Sequence, residues 1–127
     1  MNNFLKIIFY FLLTSLMIVS IYPGSLLGYL LYSDSKRELV IHGNILGNSI
    51  NHFLCYFHIS LLGFIVYLKK ANFQNCLNSL FLLSIILEMA HLFIPNRSFQ
   101  IVDLAGNMLG VIVAYSLVKI YLLFNKL

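Results

Sequence analysis

From Ile7 to Tyr32 the chain carries no charged residue. An uncharged run of that length is long enough to cross a bilayer with some tilt. Similar runs recur at Asn51–Leu68, Cys76–Phe93 and Asp103–Phe124, each closed by polar or basic residues. Apolar character that is continuous, rather than alternating over ten-residue windows, excludes a β-barrel. A hydrophobic share of 61%, a charged share of 9% and a mean hydropathy of +0.91 exclude an ordinary soluble domain, which carries roughly 25% charged residues. With 127 residues, the chain has room for about four spans of roughly 20 residues and short links. The expected fold is an all-α membrane protein, one antiparallel bundle of four transmembrane helices over residues 1–127, with spans near 7–32, 51–68, 76–93 and 103–124.

Pro23-Gly24 falls late in the first run, where a proline removes one backbone hydrogen bond and bends a helix. A secretory leader is the competing reading of this segment, since Lys6 precedes an apolar core. The run is too long for one and no small-x-small site follows cleanly, so a retained helix is expected. Ser33–Asn51 is the one wet stretch, with Asp34, Lys36, Arg37 and Glu38 followed by the turn-forming Gly43, Asn44, Gly47 and Asn48. Its Val40, Ile41, Ile45 and Leu46 suggest that it lies on the membrane surface. Between the second and third spans only Ala71–Asn75 follows Lys69-Lys70, so those helices are antiparallel neighbours.

The net charge of +4 is scattered at the ends of apolar runs, as loop charges of membrane proteins are. It forms no basic stripe, which argues against a nucleic-acid partner. Four spans put Lys6, Lys69, Lys70, Lys119 and Lys126 on one side and Lys36, Arg37 and Arg97 on the other. That balance predicts cytoplasmic termini, with Lys119 snorkelling to the interface. Cys55 and Cys76 fall at opposite ends of such a bundle, whereas a disulfide needs Cα atoms within about 7 Å. Two buried free thiols are expected.

Glu88–Asn107, E-M-A-H-L-F-I-P-N-R-S-F-Q-I-V-D-L-A-G-N, holds much of the polar chemistry. Ionisable groups within or beside a span are costly and mark functional sites by default. An even number of crossings brings the wet loop, the entry to the second span, the exit of the third and the entry to the fourth to one rim. His52, Tyr56, Glu88, His91, Arg97, Asp103 and Asn107 are therefore the candidate ligand-binding cluster. Glu88, six residues before Ile94, is expected about 9 Å inside the helix end. It is read either as a protonated carboxyl bonding between helices or as a paired functional carboxylate. His91, three residues on, shares its face. A zinc set of His52, Glu88, His91 and Asp103 has suitable ligand types but no known ligand spacing, so neither a metal nor another cofactor is expected. For Arg97 the alternatives are a snorkelling anchor or a planar fork for a phosphate or carboxylate, Glu88 and Asp103 included. Asp103 reads as the N-cap of the fourth helix, Asn107 as interhelical glue, and Gly106, Gly110 and Ala114 as a small-residue packing stripe. Tyr56 has the position of an interfacial anchor.

These residues resemble the VanZ-like family of small bacterial membrane proteins. The shared pattern is His52 and Tyr56 at a helix head, then Glu88, Phe93, Pro95, Arg97, Asp103, Leu104, Asn107 and Gly110. His91 stands where the family usually has Gln, Asn48-Ser49 where an acidic-basic pair is common, and Gln100 where a small hydroxyl residue is common. The resemblance implies a multi-pass protein of the bacterial cytoplasmic membrane, within the cell envelope. The family's namesake is associated with low-level resistance to the glycopeptide teicoplanin. Two functions follow as expectations. One is binding of an amphipathic or anionic ligand, a membrane lipid or a glycopeptide-type antibiotic, at the extracytoplasmic face. The other is a membrane-embedded hydrolase of a lipid-linked substrate, with Glu88 and His91 as acid and base.

Overall fold

The computed structural model describes residues 3–36, 45–68 and 71–125. Among these described residues are five helices, α1 (Asn3–Ile21), α2 (Leu26–Tyr32), α3 (Ile45–Val66), α4 (Phe73–Ala90) and α5 (Ile101–Phe124). Four of them, at 3–21, 49–66, 73–90 and 101–124, are long and apolar enough to cross a membrane. The protein is an all-helical membrane protein, as the apolar runs require.

The first run is two helices rather than one bent helix. Pro23 cannot donate to the α1 ladder, and Gly24 adopts φ +77° with its α-carbon against Ser35, where an added Cβ would lie 2.5 Å from the Ser35 carbonyl oxygen. Only glycine fits such a turn. Ser25 then restarts the chain: its amide donates to the Ser35 carbonyl at 2.7 Å, and its hydroxyl oxygen accepts from the Gly28 amide at 2.9 Å as the N-cap of α2. The helix of the second span begins at Ile45, six residues before the expected Asn51, so Gly47 and Asn48 are helical rather than turn residues. The expected surface segment around Val40 and Ile41 lies outside the described residues, as do Arg37, Glu38, Lys69, Lys70 and Lys126. At its far end α4 tightens: the amides of His91, Leu92 and Phe93 donate to the carbonyls of Glu88, Met89 and Ala90, one residue closer than in an α-helix. The expected end at Phe93 is thus a final narrow turn.

The helices run alternately up and down. Tyr10, early in α1, meets Tyr67, just past α3, hydroxyl to hydroxyl at 2.6 Å. At the other rim His52, early in α3, meets Asn107, early in α5. The closest pairing is α3 on α5. A Cβ on Gly106 would lie 2.7 Å from the Ser49 carbonyl oxygen, and one on Gly110 would lie 2.6 Å from that of Phe53. Ala114 continues the stripe, fully buried. Lipid tails provide no hydrophobic drive for helix association, so backbones that approach this closely supply the packing instead.

Burial divides the bundle in two. Phe9, Phe64, Cys76, Leu80, Val111, Ala114 and Val118 fill the half nearer the termini. Ser49, Glu88, His91, Asp103 and Asn107 are buried in the other half. The Lys119 ammonium lies over the Phe73 and Tyr115 rings, 5.6 and 5.5 Å from their centroids. Both cysteines are free thiols, but Cys55 is exposed and only Cys76 is buried, because Cys55 lies on the side of α3 turned away from α5.

Candidate functional site

Helical spacing builds the inner part of the site. Ser49, His52 and Tyr56 follow one another at three and four residues along α3 and so share a face. Asp103 and Asn107 do the same on α5, and the close α3–α5 approach presses the two faces together. The Ser49 hydroxyl donates to Asp103 Oδ1 at 2.6 Å. His52 Nδ1 lies 3.1 Å from Asn107 Oδ1, and its Nε2 lies 3.8 Å from Asp103 Oδ2. Asp103 is not the cap of α5. Gln100 holds that position, and Asp103 sits three residues later in the first turn, where its negative charge faces the positive helix end while its side chain turns inward to Ser49.

Glu88 enters from α4. It stands two residues from the helix end at Ala90, so the expected depth within the helix is too great. Protein rather than depth buries it, to 1% exposure. Its Oε1 accepts from the Gln100 amide at 3.1 Å, an otherwise free N–H at the head of α5. His91 Nδ1 lies 3.4 Å from the same oxygen, and His52 Nδ1 lies 3.9 Å from Oε2. The carboxylate is therefore paired, between two imidazoles and a backbone donor.

The structure brings five of the seven candidates, His52, Glu88, His91, Asp103 and Asn107, into one buried network. Tyr56 is at its base and is no surface anchor. It is 2% exposed, and its hydroxyl is buried with no hydrogen-bond partner, as is that of Ser60 one turn below. Arg97 departs most from expectation. It pairs with neither Glu88 nor Asp103. Its Nη2 donates to the Val19 carbonyl at 2.9 Å and its Nε to that of Tyr22 at 3.4 Å. The break at Pro23 leaves the last α1 carbonyls without helical donors, and a guanidinium suits that negative end.

Between α1, α2, the head of α3 and the far end of α4 lies a cavity of about 150 Å³. Leu16, Val19, Leu26 and Leu27 make its apolar wall; Ser20, Ser25, Asn51, His52, His91 and Arg97 make its polar wall, with the Cys55 thiol beside them. Among the described residues no carboxylate lines it, because Glu88 and Asp103 are turned into the network behind. His91 bridges the two regions. It is 5% exposed, its Nδ1 faces Glu88, and its Nε2 has no partner. A neutral ring with its proton on Nδ1 offers Nε2 as an acceptor, and a protonated ring offers it as a donor. Among the described residues no three His, Cys, Asp or Glu side chains are grouped to hold a metal ion. The four zinc-ligand types face one another as hydrogen-bonding and ion-pairing partners.

Sequence reasoning missed Ser49, although its spacing from His52 put it on the same face. Ser20 and Ser25 carried no signal, because their place in the cavity depends on where the first run breaks.

The sequence model of the VanZ/LLP1 family matches residues 7–124. The chain belongs to the VanZ/LLP1 family. No curated protein and no solved structure matches it. The match extends through the first span, beyond the second-to-fourth-span residues that carry the motif, so α1 and its tie to Arg97 fall within the family's domain.

Proposed function

We propose that this VanZ/LLP1 protein binds the anionic head of an amphipathic ligand in the cavity between α1, the head of α3 and the far end of α4. The observation that carries this reading is the unpartnered, buried Nε2 of His91 in a lining that, among the described residues, holds an arginine and two histidines and no acid. A desolvated phosphate or carboxylate needs donors and positive charge, and the leucines opposite suit an apolar substituent. The lysine and arginine distribution supports an extracytoplasmic position for this rim in a bacterial cytoplasmic membrane, with both termini inside. Membrane lipids and glycopeptide-type antibiotics are the ligand candidates there, and a contribution to antibiotic tolerance would follow from binding either.

Native mass spectrometry of the purified chain with phosphatidylglycerol and with zwitterionic phosphatidylethanolamine tests the reading. The wild type should retain the anionic lipid preferentially. H91L should weaken that retention about ten- to a hundredfold, the range for one hydrogen bond to a charged group. H91Q, which restores a donor, should recover part of it. Equal retention of both lipids by all three proteins would refute the proposal.

The Glu88–His91 pair also favours a second reading, a hydrolase of a lipid-linked substrate. A carboxylate on Nδ1 and an unpartnered Nε2 is the arrangement of an oriented general base. Turnover of lipid-linked precursors by the wild type, lost in H91L, would support it, and no turnover with or without a chelator would remove it.

A further inference from the structure

A second cavity, of about 400 Å³, opens between α1 and α4 in the half of the bundle nearer the termini. Its wall is Phe9, Leu13 and Met17 of α1 against Ser79, Leu80 and Leu83 of α4. At its outer end Asn72, Asn75 and the Tyr10–Tyr67 pair supply polar groups. The volume falls within the range of roughly 300–1,000 Å³ typical of small-molecule sites, which are mainly apolar with a few polar groups.

One helix, α1, lines both cavities. Leu16 lines the cavity at His91 and Met17, the next residue, lines this one. From Phe9 to Ser20 the α1 side of both spans about 16 Å at 1.5 Å per residue, over half of the roughly 30 Å hydrocarbon core. The order along that line is donors at the His91 end, an apolar stretch at Leu13 and Met17 beyond them, and the Tyr10–Tyr67 hydroxyls with Asn72 and Asn75 at the far rim, so a hydrocarbon chain fits the middle stretch. Of the residues of α1, Phe9 alone is buried, so α1 covers the cleft without filling it.

We infer that the cleft between α1 and α4 holds the hydrocarbon chain of a lipid whose phosphate head sits at His91 and Arg97. This rests on the anion-binding reading above and adds what is attached to the anion: a long chain, lying inside the protein rather than in the bilayer. The phosphate could belong to a headgroup alone or to a complete lipid, and the chain is what separates them.

The test uses the full chain in detergent with three probes: glycerol phosphate, dihexanoyl-phosphatidylglycerol and dioleoyl-phosphatidylglycerol. The dioleoyl lipid should bind at least tenfold more tightly than the dihexanoyl one. S79W, which places an indole in the cleft far from the head site, should abolish that advantage while leaving the dihexanoyl affinity unchanged. Equal affinity for all three probes would overturn the chain site and leave the anion site standing; no binding of any probe would overturn both. A lipid with a photoreactive group near the chain end checks the wild type directly, whatever the folding of S79W. Adducts should concentrate on Leu13, Met17, Ser79 and Leu83. Adducts spread evenly to Leu109 and Ile112, which are exposed on α5, would overturn the inference.

Discussion

The α3–α5 seam and the α1–α4 cleft lie in one small bundle and are held by opposite means. Along α3–α5, Gly106, Gly110 and Ala114 let backbones touch, and the polar network sits at the head of that seam. Between α1 and α4 the space is open, and α1 is tied to the bundle's links near its two ends by polar contacts, Tyr10 with Tyr67 and Arg97 with the Val19 and Tyr22 carbonyls. In a solvent as apolar as the side chains, packing without small residues leaves gaps. The bundle therefore has a rigid spine and a loosely covered side.

Breaking the spine should have the largest effect. In G110L the new side chain meets the Phe53 carbonyl oxygen 2.6 Å and the Phe57 amide nitrogen 2.8 Å from the Cβ position, both backbone atoms that cannot swing away. Overpacking costs about 1–3 kcal/mol and more where relief is blocked, so steric-trapping measurements should find G110L unfolded or destabilised by the upper end of that range. L13A, in the wall of the cleft, should change stability by much less, and equal losses would erase the contrast.

Next in size is the polar head of the spine. D103A strips the Ser49 hydroxyl of its acceptor and removes a carboxylate beside His52; a buried donor left unpaired costs about 1–3 kcal/mol. D103N, which keeps an acceptor oxygen, should lose less, and thermal melting in detergent ranks the two.

R97Q should spare the spine and loosen α1. The expected outcome is severalfold faster thiol labelling of an S20C reporter in R97Q than in the arginine background, with the melting transition moved less than in D103A. Unchanged labelling would mean that the guanidinium does not hold α1.

The tie at the other end should give the smallest effect. The hydrogen bond with Tyr10 pushes the Tyr67 phenol, beyond the end of α3, from its usual 10 up to about 12. A raised phenol favours its protonated form in the folded protein, so this contribution is fully present below about pH 10 and is lost as pH rises through about 12. Y10F should return the Tyr67 titration toward 10, read by ultraviolet absorbance, with little change in stability at neutral pH because the pair is largely exposed.

Much of this was legible in residue order. Continuous apolar runs announced the spans, and the parity of crossings brought His52, Glu88, His91, Asp103 and Asn107 to one rim. The four-residue repeat of Gly106, Gly110 and Ala114 announced the seam. What stayed hidden depended on side-chain direction or backbone breaks. Asp103 has the residue type of a cap, yet helix α5 starts earlier and points it at Ser49. Arg97 suits an acid, but Glu88 and Asp103 have other partners, whereas Pro23 leaves the Val19 carbonyl without its helical donor and the guanidinium meets it. Tyr56 has the sequence position of an anchor, and only the approach of α5 turns that part of α3 inward.

Fastened by polar contacts near its ends and only partly buried along its middle, α1 resembles a bowstring. Its centre can bow outward while both knots hold, and the opening so made faces the lipid rather than the water. A hydrophobic guest would enter sideways from the leaflet, and the rate at which it came and went would follow the stiffness of that one helix.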